Sequence, residues 1–424
     1  EVYDGAWQTV WSMDQSGKGG DGNDTPDNLQ TTNISLSAYG TVTQVRFRLS
    51  DTTGIGDYFF IDDVAIGAAS HDFEPAAGSG VLIRNYQEES VVIDGTEAIS
   101  TGWTAVSNGI YKTTFATDIW QLFVDDEMQT SARWPDAEAW TDATWDKDAN
   151  WIQQDASSTN GIFVDESGGQ NLAGSGKDFT GAIAIMNIGS WLSFSETVTS
   201  HGAGSDTFTY SPVAANQYHH KIENGAAFFE ASYACLSTNK EWYYNSATDE
   251  LFLIADNGLN PAGRNVRGKT ITYGLSINNS QAITIQGIDF FGCTFKVDNS
   301  DSIAIEDGDV LFPSYSKRML GNTATADATF VDGDGNALRN CTFQYADGSG
   351  LEFVGDGGTI ENCLFYQIDY SCVGTLHDVM VNIRNASNLS FRHNTLDAGG
   401  NSVGIKGGDS SIFELNRVTN QGML

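Results

Sequence analysis

One short pattern returns six times between Gln281 and the end of the chain, and it limits the fold more than any other feature. It reads Ile288-Asp-Phe, Gly308-Asp-Val, Cys341-Thr-Phe, Cys363-Leu-Phe, Asn394-Thr-Leu and Asn416-Arg-Val, each after a strand-like segment such as ITIQG, IAIED or GTIEN. The steps between successive copies are 20, 33, 22, 31 and 22 residues. A base period of roughly 21 residues with two insertions of about ten fits them, and periodicity of that size marks a solenoid. β-Branched residues alternate with polar ones, and Gly, Asn and Asp punctuate the units, so each unit is strand and turn rather than helix. The economical fold is all-β, a right-handed parallel β-helix.

In such a coil no rung buries its inner face alone. A core forms only as Ile, Val, Leu and Phe stack on their counterparts one rung away. Asn and Cys recur at one corner (Asn340-Cys341, Asn362-Cys363, His393-Asn394, Asn416), where Asn tolerates the tight bend and bonds along the stack. Small thiols pack inside as apolar groups. The five cysteines, at 235, 293, 341, 363 and 372, form no CxxC spacing, and an odd count argues against a disulfide framework.

The 424 residues and a hydrophobic content of 40% supply ample core and exclude a disordered chain. The formal charge of −34, from 55 acidic and 21 basic residues, suits a salty exterior and opposes binding to nucleic acid or an anionic membrane. No apolar run approaches membrane-spanning length, so no membrane span is expected. A secreted protein would be met here after loss of its leader.

Three segments follow from the text. Residues 1–70 read as a partial β-sandwich, because NISLSAYG, VTQVRFRLSD and DYFFIDDVAIG resemble the closing strands of jelly-roll modules of the MAM or carbohydrate-binding kind. Residues 71–280 hold a first coil (Glu74 to Ala98) and then a β-rich stretch that leaves the period, with seven of the ten Trp between 103 and 191. Within it EWYYN and ELFLIAD flank an SATD turn and predict a hairpin. Residues 281–424 are the regular rungs. They stop at ELNRVTNQGML with no capping element, and together with the half-length sandwich this reads as a chain cut at both ends.

The combination of WQLFVDDEMQTSARWPD, EWYYNSATDELFLIADNGLNP, ITIQGIDFFGCTF and VLFPSYSKRML resembles a family of secreted right-handed β-helix proteins of the pectin-lyase-like kind, similar to β-helical glycoside hydrolases of the fucosidase and xylanase type. It covers about residues 73 to 424. The resemblance implies a secreted, extracellular or surface-attached carbohydrate-active enzyme acting on a polysaccharide, with glycoside hydrolysis first and no required cofactor.

Function on a β-helix lies on the outer face and in loops that interrupt the coil. The two informative loops are 312–337, with Tyr315, Lys317 and Arg318, and 366–387, with Tyr370 and His377. Glycoside hydrolysis needs two carboxyls about 5 to 10 Å apart, and neighbouring rungs about 4.8 Å apart supply them. Asp347 and Asp369 stand six positions after their corner residues and therefore one above the other. They form the expected catalytic pair, with Glu352 and His377 as further catalytic candidates. Tyr315, Tyr366 and Tyr370 suit sugar faces or simple loop packing. Arg392, His393 and Asp397 are positioning candidates, and His393 reads equally as an Asn replacement in the corner ladder. Lys317 and Arg318, the lone adjacent basic pair, suit a carboxylate or sulfate of an acidic polysaccharide, or a solvated loop.

Asp21, Asn23, Asp24 and Asp27 form an oxygen-rich loop that suits Ca²⁺ and also makes ordinary turns. The DGDGN loop at 332–336 fails as an EF-hand, since Ala337 and Phe343 stand where Gly and Glu are required. Two rivals stay open. One is a polysaccharide lyase, with a Lys, Arg, His or Tyr base and Ca²⁺ or Arg as neutraliser. The other is a non-catalytic glycan-binding or adhesin module.

Overall fold

The computed structural model describes residues 2–3, 7–8, 44–45 and 64–67 as strand fragments, and residues 80–422 apart from 87–88, 101, 108, 190–192, 215–224, 370–378, 401–402 and 407. The loop of Asp21, Asn23, Asp24 and Asp27, and also Tyr370 and His377, lie outside the described residues. The described chain is a parallel β-helix of three sheets. In each coil it passes through a second sheet (Val64–Gly67 through Val403–Lys406), a first sheet (Val81–Arg84 through Ile412–Glu414) and a third sheet (Val92–Asp94 through Arg417–Gln421). Side chains bonded between successive rungs are 20, 33, 22, 31 and 22 residues apart, as the sequence period requires.

The alternation predicted from the sequence sends every second residue inward. Ile285, Ile305, Leu338, Ile360 and Phe391 stack on the first sheet, and Phe290, Val310, Phe343, Phe365 and Leu396 on the third, all essentially buried in one continuous core. Phe343 and Phe365 lie face to face, with centroids 5.0 Å apart and planes at 6°, which is the rung spacing expressed in side chains. Burying each such side chain contributes about 1.5–3 kcal/mol.

Two ladders share one corner. Asp307, Asn340, Asn362 and His393 all take left-handed φ, between 54° and 58°. Asn340 donates to Asp307 at 2.8 Å and Asn362 donates to Asn340 at 2.9 Å. One residue further on, Cys341, Cys363 and Asn394 turn inward and are buried. The Asn394 side chain accepts from the Cys363 amide and the Asn416 side chain accepts from the Asn394 amide, both at 2.9 Å. Asn thus bonds along the stack while Cys fills space in it.

Of the segment expected to be a jelly-roll fragment, four short strands are described. Gln44–Val45 pairs parallel with Val81–Arg84, and Val64–Gly67 pairs parallel with Tyr273–Asn278. Among its described residues, Val2–Tyr3 pairs antiparallel with Trp7–Gln8 and with Gln44–Val45. These strands extend the coil's own ladders.

Between Asp94 and Tyr273 the chain leaves the coil and builds two sheets, antiparallel except where Glu127–Ser131 pairs parallel with Glu241–Asn245. The predicted hairpin is present, Glu241–Asn245 against Glu250–Ile254. The insertion has its own core, in which Phe179 stacks on Phe229 at 4.4 Å and on Trp134 at 5.1 Å, and Trp151 is fully buried. It is joined to the coil by a buried ion group. Arg318 donates to Glu230 of the insertion at 2.8 Å and to Asp347 of the coil at 3.1 Å.

Candidate functional site

The long excursions share one corner. The insertion after Asp94, the loop between Leu311 and Thr329, and the loop between Ile368 and Val381 all depart where the third sheet hands over to the second. Across the outer face of the third sheet the insertion faces the coil over a cleft of about 940 Å³. One wall is coil: Phe291, Leu311, Phe312, Gln344, Tyr345, Tyr366 and Gln367. The other is insertion: Asp126, Glu127, Met128, Thr130, Glu138, Trp140, Lys240, Asn265 and Arg267, with Asp94 at the junction.

The register of the third sheet builds the coil wall. Asp94, Phe291, Leu311, Gln344 and Tyr366 are partners on successive rungs and point outward together. On the four rungs after Asp94 the next residue turns the corner with left-handed φ, and it is Gly292 first, then Phe312 (56°), Tyr345 (65°) and Gln367 (50°). A non-glycine residue held there costs of order 1–3 kcal/mol, and such outliers gather at functional sites. The strain turns aromatic rings into the cleft. Phe312 stacks on Tyr345 at 5.0 Å, Tyr345 meets Tyr366 edge-on at 6.2 Å, and Trp140 from the opposite wall meets Tyr345 edge-on at 5.6 Å. From Phe291 to Tyr366 the row spans four rungs, about 14 Å at the usual strand spacing. The Gln367 amide donates to the Trp140 carbonyl at 3.1 Å and ties the two walls together.

Beneath the row, Lys269 is wholly buried and donates to the Phe312 and Pro313 carbonyls at 3.0 and 3.1 Å. Burial brings its ammonium down to a pKa of about 7.

Charge in the cleft comes from the insertion and the junction. Asp125 and Asp126, with φ of 51° and 67°, make the two-residue turn between Leu122–Val124 and Glu127–Ser131, and Asp125 is pinned by Arg264 and the Asn265 amide at 2.9 Å each. Arg267 reaches both Asp94 and Asp126 through its two terminal nitrogens, and lies 4.5 Å from the Phe291 ring centroid. Lys240 sits 2.6 Å from Glu127 and 3.8 Å from Glu138. Burial pushes the Asp94 carboxyl above its ordinary value, against the opposing pull of Arg267 and of hydrogen bonds from the Thr96 hydroxyl and amide.

The residues singled out in the sequence divide sharply. Asp347 and Asp369 do stack one rung apart, since Ala346 and Ile368 are register partners and the Asp369 amide donates to Gly348 at 3.1 Å. Both are buried behind the corner, 1% and 2% exposed, and neither lines the cleft. Asp347 accepts from the Ser316 amide as well as from Arg318. The Asp369 carboxylate lies over Gly400, where a Cβ would fall 2.1 Å from it. Arg318, read as an anion contact, is 3% exposed and taken up by two carboxylates. Lys317 rests 4.5 Å from the Trp120 ring centroid. Tyr315 is packed beside the same ion group, and burial pushes its hydroxyl up.

Glu352 lies on the second sheet paired with Arg384, and Arg392 on the first sheet beside Glu414 at 3.3 Å, each on a different face from the cleft. His393 occupies the Asn corner position. Asp397 is the register partner of Tyr366 on the next rung, where it accepts from Thr419 and Asn420 at 2.9 and 2.8 Å. Among the described residues no group of three or more His, Cys, Asp or Glu is arranged to hold a metal ion.

Tyr366, raised from sequence as a sugar platform, lines the cleft with Trp140 of the Trp-rich segment, whereas three coil aromatics, Phe291, Phe312 and Tyr345, were missed. Aligning the repeats would have found all three. FFG, VLF, FQY and FYQ place an aromatic at the third or fourth position of every third-sheet strand from Asp289 to Ile368. Asp94 and Arg267, 173 residues apart, carry no local signal.

No protein-family model and no curated protein matches the chain. Among solved structures, one described as "Glycoside hydrolase" superposes with a TM-score of 0.55 at 12% identity, over 87% of this chain and 88% of that one. It shares the fold. A second, titled "The complex structure of XylC with xylose", gives 0.36 at 9% identity over 80% of this chain and 54% of its own. The tailspike gp61 of Pseudomonas phage phi297 gives 0.18 at 11% identity, over 85% and 61%.

Proposed function

We propose that this chain is a secreted carbohydrate-active enzyme that binds a polysaccharide along the cleft and hydrolyses it. The observation that carries the reading is the aromatic row, Phe291, Phe312, Tyr345 and Tyr366, two of them held in left-handed conformation, facing Trp140 across the cleft with a partly buried carboxyl at its end. Flat apolar ring faces with polar edges fit sugar rings, and glutamines and an asparagine between them fit hydroxyls. The fold shared with a solved structure described as a glycoside hydrolase agrees with this reading.

Hydrolysis needs one carboxyl able to give up a proton and a second that stays ionised. Asp94 meets the first demand, because burial raises its pKa at a point that opens to the cleft. Asp126 is the second carboxylate on the same guanidinium and is turned to solvent. The stacked pair Asp347 and Asp369 is the second assignment, favoured by its one-rung spacing. A lyase reading is weaker here, since both cations lining the cleft already lie between carboxylates.

The test is turnover of a polysaccharide panel followed by reducing ends and by absorbance of unsaturated products. Reducing ends without absorbance are expected, with Asp94→Asn lowering the rate about 10²- to 10⁴-fold. Loss of activity in Asp369→Asn with Asp94→Asn still active would transfer the chemistry to the stacked pair. Unsaturated products would make the protein a lyase, and binding without turnover would make it a binding module.

A further inference from the structure

We infer that the cleft selects by charge, accepting uncharged sugar units and turning away uronates and sulfated sugars. The inference rests on the glycan-cleft reading and adds the substrate class to it. It reverses the expectation, drawn from Lys317 and Arg318, of an acidic polymer.

Among the described residues four acidic side chains line the cleft, Asp94, Asp126, Glu127 and Glu138, against two cations. Arg267 spans Asp94 and Asp126, and its flat face lies on Phe291. Lys240 lies between Glu127 and Glu138. Each cation already lies against two acidic side chains, so an incoming carboxylate or sulfate must displace a group that is covalently held in place. Bidentate capture of an anion requires a guanidinium fork with an open edge. The Arg267 fork is already spent on two aspartates. Lys317 and Arg318 do not relieve this, because the first lies over Trp120 and the second is buried between Glu230 and Asp347.

What remains to recognise a ligand is neutral: aromatic faces, the amides of Asn265, Gln344 and Gln367, and the Thr130 hydroxyl. The overall charge of −34 opposes polyanions from a distance, and salt screens that part. The local effect separates from the global one by substitution within the cleft.

Binding of neutral hexamers (cello-, manno- and xylohexaose) and of uronate hexamers (galacturonate and mannuronate) is measured by calorimetry at 0.05 and 0.5 M NaCl. At least one neutral hexamer is expected to bind at least tenfold tighter than any uronate, with the gap narrowing in high salt. The double variant Glu127→Gln/Glu138→Gln, which frees Lys240, is expected to raise the uronate-to-neutral affinity ratio about tenfold at 0.5 M NaCl, where the distant field is screened. Tighter binding of a uronate by the unmodified protein overturns the charge selection but leaves the glycan cleft standing. An unchanged ratio in a double variant that unfolds at the same temperature as the parent also overturns it. No binding of any hexamer overturns the cleft reading itself, and this inference with it.

Discussion

The coil and the insertion supply opposite walls of one cleft, and they are built by opposite rules. In the coil each rung repeats the last, so one register places Phe291, Gln344 and Tyr366 in a line without any long-range instruction. The insertion repeats nothing. Its wall comes from a primed turn at Asp125-Asp126, a strand that brings Arg267 from far along the chain, and a Trp140 held at φ 62°. The difference teaches a division of labour: periodic structure makes a platform of like faces, and aperiodic structure adds the charges that choose among ligands.

The comparison can be broken first at the joint. Arg318→Met leaves Glu230 and Asp347 buried together without their counter-charge, which costs about 3–5 kcal/mol. Denaturant unfolding should show that loss, and a change under 1 kcal/mol would mean that the two parts are not held together here.

Of similar size are Phe343→Ala in the coil and Phe229→Ala in the insertion, about 3–5 kcal/mol each. Their reach should differ. Hydrogen exchange is expected to rise in the rungs flanking Phe343, because rungs depend on their nearest neighbours. After Phe229→Ala the rise should stay within 95–272, and equal opening of both regions in both variants would end the distinction.

Two buried groups sharpen it through pH. Glu241, 1% exposed, is pushed up to about 7 by burial although it accepts the Ser237, Thr238 and Arg133 amides. Its native form holds a proton that the unfolded chain loses near 4.5, so its contribution is fully present below that value and is lost as pH rises to 7. Lys269 behaves in the opposite sense. Native protein gives up the proton near 7 while the unfolded chain keeps it to about 10.5, so stability grows as pH rises between the two. Glu241→Gln should flatten the acid limb and Lys269→Met the alkaline limb, each by a few kcal/mol at most. Unfolding curves measured from pH 5 to 10 check both, and a variant that leaves its limb unchanged contradicts the assignment.

The smallest expected effect is on binding. Tyr345→Ala removes one platform and should weaken a bound oligosaccharide about five- to tenfold, the value of roughly 1 kcal/mol for an aromatic contact.

The sequence carried the coil because its information is local: the same steps that separate Ile288 from Asn416 in the text are the steps between bonded rungs. The candidate carboxylates show where such reading stops. Asp347 and Asp369 were rightly stacked by counting. Yet Tyr345 and Gln367 turn the corner in left-handed conformation, and this resets the in-and-out alternation so that the acids two residues later face inward. Arg392 and Glu352 were grouped with the site by closeness in sequence, but a triangular coil puts residues ten apart on different sheets. The partners that matter most, Asp94 with Arg267 and Gln367 with Trp140, are separated by 173 and 227 residues and no period links them.

Both walls are expected to hold one glycan at once. Hydrogen exchange with and without a saturating neutral hexasaccharide tests it most directly. The account predicts slower exchange together at Leu122–Val124 and Glu127–Ser131 on one wall and at Thr342–Ala346 and Leu364–Ile368 on the other. Protection of one wall alone, or of the first sheet around Ser390–Arg392 with the cleft unchanged, would contradict it.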